Sequence, residues 1–179
     1  DRNVAAGDAF VVLAVVVVLL VAGAFVAGYW PPRESLIQAR AEAVGATEYF
    51  DVEARAGFDD VVNAKAGRGL VLSWHDTDGT PDDLDGIYER MAAVRPDIVK
   101  IVVSARSVRD LGRLLAFAAR HAGDTAPRLI ALAMGPLGVA SRVLCGRFGA
   151  PFTFASAAAG QEAAPGQIPA RALVDCYRV

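Results

Sequence analysis

The chain has 179 residues, is 54% hydrophobic and 21% charged, and carries a formal net charge of -2. That is enough apolar material for the core of one ordinary domain and too much for a chain disordered throughout. With 18 basic against 20 acidic residues and the arginines scattered along the chain, nucleic-acid binding is not expected.

Two cysteines, Cys145 and Cys176, stand far apart with no CxxC spacing, and there are only two histidines. Neither a disulfide framework nor a metal cluster is indicated, and the expected setting is a reducing, cytoplasmic one. One segment departs from this picture. Residues 9–30 carry no charge, and the run exceeds the roughly 18 apolar residues that mark a transmembrane candidate. Tyr29 and Trp30 at its edge suit a membrane interface, whereas Arg2 and Arg33 give almost no orientation signal. Buried strands of a domain, or a non-native amino end, are the competing readings of this segment, residues 1–32. Membrane association is expected only through it.

Beyond Pro31 and Pro32, residues 33–179 read as helices alternating with short apolar strands. Glu34–Val44 has helix formers with Ile37, Ala41 and Val44 on one face and Gly45 behind it. Strands are expected at Tyr49–Glu53 and Leu70–Trp74. Thr80, Pro81 and Asp83 then suggest an N-cap, a first-turn proline and an acidic N3 for a helix reaching Val94. Ile98–Val103 is a β-branched strand; Ser107 and Asp110 form a capping box opening a helix over Val108–His121. Leu129–Met134 and Pro151–Ala155 are further short apolar runs, separated by a segment around Gly138–Phe148 with helical character. Such alternation predicts a parallel sheet covered by helices, whose working residues sit at the carboxyl ends of the strands.

Five places meet that rule. Lys100 is one of only two lysines beside 16 arginines, and it lies inside an apolar strand. Desolvation favours the neutral amine, which can attack a carbonyl and form a Schiff base; the plainer reading is a lysine snorkelling or paired with a carboxylate. His75 ends LVLSW and opens HDTDGTP, where an imidazole can take and return a proton. The aspartates that follow it lack calcium-loop spacing and suit helix capping, and His121 at a helix end reads as structural. Glu53 closes YFDVE as a candidate to orient a histidine or lysine, or simply to pair with Arg55. Arg142 in MGPLGVASR offers a planar fork for a carboxylate, and Gln167 follows a proline–glycine turn.

The ordered set DVE, SWHD..GTP, DIVKI, LAMGPLGVASR and FTFAS...APGQI resembles the type I 3-dehydroquinate dehydratase family over about Arg33–Val179. The resemblance implies an α/β fold: a partial TIM (βα)8 barrel of about five C-terminal βα units preceded by the apolar segment. It begins at the third helix of the family's barrel, and a full barrel uses about 250 residues. By similarity, Lys100 would form an iminium with the C3 ketone of 3-dehydroquinate. His75 would take the C2 proton and then protonate the departing C1 hydroxyl, giving 3-dehydroshikimate in aromatic amino acid biosynthesis. Glu53 would hold and tune His75, Arg142 would pair with the ring carboxylate, and Gln167 would fix hydroxyls and help close the loop.

Met134 and Ala163 fall in the matching substrate segments, although Ala163 stands where the family commonly has serine. No counterpart is found for the arginines and further acidic residue of the family's early strands. No metal or cofactor is implied, and a homodimer is the family's frequent form. The end ALVDCYRV is similar to the junction before shikimate dehydrogenase in fused enzymes, yet no GxGxxG follows a strand. The alternatives are an inactive or membrane-tethered partial barrel with a binding role, and another Schiff-base lyase or aldolase.

Overall fold

The computed structural model describes residues 49–56, 69–123 and 126–179. The apolar segment 1–32 and the helix expected over Glu34–Val44 lie outside these. Among the described residues no helix is long and apolar enough to cross a membrane.

Four strands, β1 (Tyr49–Glu53), β2 (Gly69–Asp76), β3 (Ile98–Ser104) and β4 (Arg128–Met134), form one sheet in the order β1-β2-β3-β4. Every neighbouring pair is parallel. Connecting parallel strands requires a crossover, and α1 (Leu84–Ala92) and α2 (Val108–Arg120) supply it after β2 and β3. After β4 the chain forms α3 (Val139–Leu144) between two short 3-10 turns, and α4 (Ala170–Tyr177) closes it.

Strand β3 is buried at six of its seven positions, as expected of a strand covered on both faces. Its odd-numbered residues Val99, Ile101 and Val103 join Leu72, Ile87, Met91, Leu114 and Phe117 in a core beneath the helices. The opposite face carries Ile98 and Val102 with Val71, Ile130, Leu132, Cys145 and Phe152. Lys100 belongs to this second face by the period of two.

Three expectations change. The first long helix starts at Leu84 with Asp83 as its N-cap, whose carboxylate accepts from the Gly86 N–H at 3.0 Å. Thr80 does not cap it, because its hydroxyl donates to the Ser104 carbonyl and anchors the β2–α1 loop to the end of β3. Strand β2 continues through His75 to Asp76, so His75 is a sheet residue paired in register with Val102. The apolar run Pro151–Ala155 adds no rung to the sheet. Its neighbourhood makes only an isolated bridge between Ser156 and Pro169, while Phe152 and Phe154 pack on the Lys100 face.

The start of α2 follows the expected chemistry. Ser107 accepts the Asp110 N–H at 3.1 Å, and the Asp110 carboxylate accepts the Ser107 hydroxyl and the Arg106 N–H. His121 just past its end is structural, wedged against Tyr88 and Phe117 and paired with Asp85 at 2.8 Å. Replacing Ser107 with alanine is expected to cost about 1 kcal/mol of stability, read as a lowered urea midpoint at constant slope. Cys145 is buried and Cys176 exposed, and burial pushes the Cys145 thiol up from its ordinary value. A thiol-selective reagent at pH 8 is therefore expected to titrate Cys176 rapidly and Cys145 only on unfolding.

Candidate active site

Register places the polar residues of one sheet face in rows. Glu53, Ser73, Lys100 and Ile130 align across the four strands, with Asp51, Val71, Ile98 and Arg128 two residues nearer the strand starts. His75, Val102 and Leu132 form the row two residues further along. By strand geometry, the His75 and Lys100 backbones are about 8 Å apart on neighbouring strands.

Two ion pairs occupy these rows. His75 Nδ1 lies 2.5 Å from Glu53 Oε2, with both side chains about one-third exposed. A carboxylate only accepts, so Nδ1 carries the hydrogen and Nε2 is left as the free nitrogen of the neutral ring. Lys100 Nζ donates to Asp51 Oδ2 at 2.6 Å with both side chains under one-tenth exposed. The ammonium also sits 4.2 Å from the centroid of the Phe154 ring. Lys100 is thus buried as the sequence indicates, and it is paired with a carboxylate, with an aromatic ring against the amine. Reaching Asp51 from β3 means crossing β2, where the small Ser73 turns its hydroxyl onto the Val52 carbonyl and leaves the way open.

Arg142 is 2% exposed. Its Nε donates to the Gly166 carbonyl at 3.2 Å and one terminal nitrogen to the Phe154 carbonyl at 3.3 Å. Burial pushes its guanidinium down from the ordinary arginine value. Among the described residues it has no carboxylate partner, so it remains available to an anionic group. Phe154 connects the two cations, offering its ring to Lys100 and its carbonyl to Arg142.

The loop bearing Gln167 is docked by glycines. Gly135 (φ 85°) donates to the Pro165 carbonyl at 3.0 Å, and Gly166 (φ 81°) lies so close to Gly135 that any Cβ would overlap its carbonyl oxygen. Gln167 Oε1 accepts the Ala163 N–H at 2.8 Å, which orients the amide and leaves its NH2 group to donate. Ala163 is exposed and contributes backbone only to that bond. Met134, half-buried at the end of β4, packs on the same face as Lys100. Glu53 does not pair with Arg55, whose guanidinium lies over Trp74 at 4.8 Å. No group of residues that could hold a metal occurs among the described residues.

Asp51, Ser73 and Phe154 were not among the sequence candidates. The period of two marks Asp51, since it shares a strand face with Glu53. Nothing in the sequence placed the Phe154 ring under an amine.

The model of the family described as type I 3-dehydroquinase matches residues 21–179. The chain belongs to the type I 3-dehydroquinase family. It is 38% identical over 148 residues to the 3-dehydroquinate dehydratase of Thermococcus gammatolerans, covering 80% of this chain and 66% of that one. It is 32% identical over 136 residues to the bifunctional 3-dehydroquinate dehydratase/shikimate dehydrogenase of Arabidopsis thaliana, covering 73% of this chain and 22% of that one. Among solved structures, the 3-dehydroquinate dehydratase of Geobacillus kaustophilus superposes with a TM-score of 0.70 at 30% identity, covering 80% of this chain and 58% of that one. The chain therefore spans less than two thirds of the length of these relatives.

Gly166→Ala is expected to cost about 1–3 kcal/mol, through strain at a positive φ in addition to the overlap with Gly135. Hydrogen exchange checks its local character: the Gly135 amide should lose protection while the amides of β3 keep theirs.

Proposed function

We propose that these residues are the carboxyl-terminal units of a (βα)8 barrel that dehydrates 3-dehydroquinate to 3-dehydroshikimate through a Schiff base on Lys100. The supporting observation is the shared sheet face: a buried lysine amine with a carboxylate-oriented imidazole one row further toward the strand ends.

In this reading the Lys100 amine adds to the C3 carbonyl carbon, the carbonyl oxygen leaves as water, and a C=N iminium remains. The iminium draws electrons from the C2–H bond. The free Nε2 of His75 takes that proton, leaving an enamine; the enamine pair then expels the C1 hydroxyl, which departs as water with a proton returned by His75. Hydrolysis of the conjugated iminium releases product and restores the amine. Glu53 stabilises the imidazolium formed between the two transfers, as its 2.5 Å contact with Nδ1 allows. Arg142 receives the ring carboxylate on its uncommitted edge, and the NH2 group of Gln167 donates to a substrate hydroxyl. Met134 lines the apolar side of the pocket, with the Ala163 backbone holding Gln167.

Borohydride reduction in the presence of 3-dehydroquinate tests the assignment. A mass increment on the peptide containing Lys100 is expected, and Lys100→Met should abolish it. His75→Ala should retain the adduct while lowering formation of 3-dehydroshikimate, followed by ultraviolet absorbance, by about 10²- to 10⁴-fold. A folded chain that gives no adduct on Lys100 would point to a binding role without catalysis. An adduct without the dehydrated product would point to another Schiff-base enzyme.

A further inference from the structure

A lysine locked to a carboxylate is a poor nucleophile until its proton has somewhere to go. Here the acceptor is already in contact. Asp51 Oδ2 is 2.6 Å from Lys100 Nζ, and the other oxygen, Oδ1, is buried with no hydrogen-bond partner among the described residues. One oxygen of the carboxylate therefore engages the amine while the second is uncommitted. Among the described residues, the other titratable or charged groups on this side are Tyr49 and Glu53 on β1, His75 on β2, Arg128 on β4, Arg142 on α3 and Cys145 just after it. Glu53 is taken by His75, Arg128 donates to the Gly149 carbonyl, and Arg142 is bonded to loop carbonyls. Among these groups only Asp51 is in hydrogen-bond contact with the amine.

We propose that Asp51 is the proton carrier of Lys100: it holds the ammonium in the resting site, accepts a proton as a carbonyl compound arrives, and returns that proton to the carbonyl oxygen. The proposal deepens the Schiff-base reading above and rests on it for the natural substrate.

The bookkeeping of atoms is closed. Ammonium plus ketone gives iminium plus water, so two nitrogen-bound protons end on the departing oxygen and one stays on nitrogen. Asp51 takes the first proton and frees the lone pair; the C–N bond forms as the carbonyl π pair moves to oxygen, which receives that proton. The second proton follows the same path, the C–O bond breaks, and water leaves. Positive charge sits on the same nitrogen at the start and at the end, opposite the same carboxylate. One ion pair thereby serves both states, with Phe154 beneath it excluding solvent.

Two small reagents test this without 3-dehydroquinate, so the result is separable from that of the dehydratase assignment. Trace acetylation with acetic anhydride counts free amine at Lys100, with Lys65 as internal reference. Reductive alkylation with formaldehyde and cyanoborohydride counts imine formation, and peptide mass spectrometry reads both.

In Asp51→Asn at neutral pH, Lys100 acetylation is expected to rise about tenfold or more, because the carboxylate that engages the amine is gone. The ratio of alkylation to acetylation should fall about tenfold or more, as the proton path is lost. Asp51→Glu should return both toward wild-type values. Unchanged acetylation would overturn the electrostatic hold, and raised acetylation with an unchanged ratio would overturn proton carriage. If Asp51→Asn does not fold, nitrogen-15 lysine spectra of the wild-type chain decide. A Lys100 ammonium correlated with the Asp51 carboxyl carbon at neutral pH supports the proposal, and a neutral amine signal overturns it.

Discussion

The Lys100–Asp51 ion pair is the constraint to which the rest of this face is fitted. Its ends stand on β3 and β1 with a strand between them, so it forms only if β2 presents a small residue at the crossing, and Ser73 is that residue. Breaking a buried pair by removing one partner typically costs about 3–5 kcal/mol, whereas keeping it adds little net stability over apolar packing. Stability is therefore a weak reason for such an arrangement. Chemistry that needs an amine and a proton acceptor in contact is a stronger one, and the aromatic face of Phe154 beneath the amine fits the same requirement.

Two carboxylates on one short strand face separate into different roles. Asp51 and Glu53 are two residues apart and point the same way, yet each meets a different base. Glu53 is one methylene longer and lies one row further toward the strand ends, so it reaches the partly exposed imidazole of His75 on the neighbouring strand. Asp51 meets the buried amine lower in the sheet. Spacing along β1 thus sets which base is paired deep and dry and which is paired near the mouth. In the proposed reaction the proton exchanged with a substrate carbon would belong at the more exposed pair, and the amine that must avoid water at the buried one.

Much of this order is legible in the sequence. Strand positions follow from apolar runs bounded by turn residues, and Ser107 with Asp110 marks the start of α2 at the correct residue. The candidates Lys100, His75, Glu53, Met134, Arg142 and Gln167 come from the rule that parallel strands carry polar work at their carboxyl ends. What stayed hidden depends on contacts distant in the chain. Asp51 pairs across 49 residues; the period of two puts it on the Glu53 face, but nothing local says that its partner is an amine two strands away. Thr80 looked like a helix cap because Ser and Thr caps are local signals, whereas its hydroxyl is drawn away by the end of β3. The run at Pro151–Ala155 has strand composition but spends its aromatic rings on the Lys100 face without joining the ladder.

The same face carries a polar imbalance with a definite location. Asp51 Oδ1, Glu53 Oε1 and Arg128 Nε are buried without hydrogen-bond partners, each a deficit of about 1–3 kcal/mol in an ordinary core. All three stand on β1 or β4, the first and last strands of the sheet among the described residues, while the polar side chains of β2 and β3 on this face, Ser73, His75 and Lys100, are bonded. In a closed barrel neither flank is an edge, and inward side chains of every strand share one interior. A sheet whose middle is satisfied and whose flanks are not has the pattern of an arc of such a barrel. In the proposed barrel, the open valences of the Asp51 and Glu53 carboxylates would face the enclosed interior.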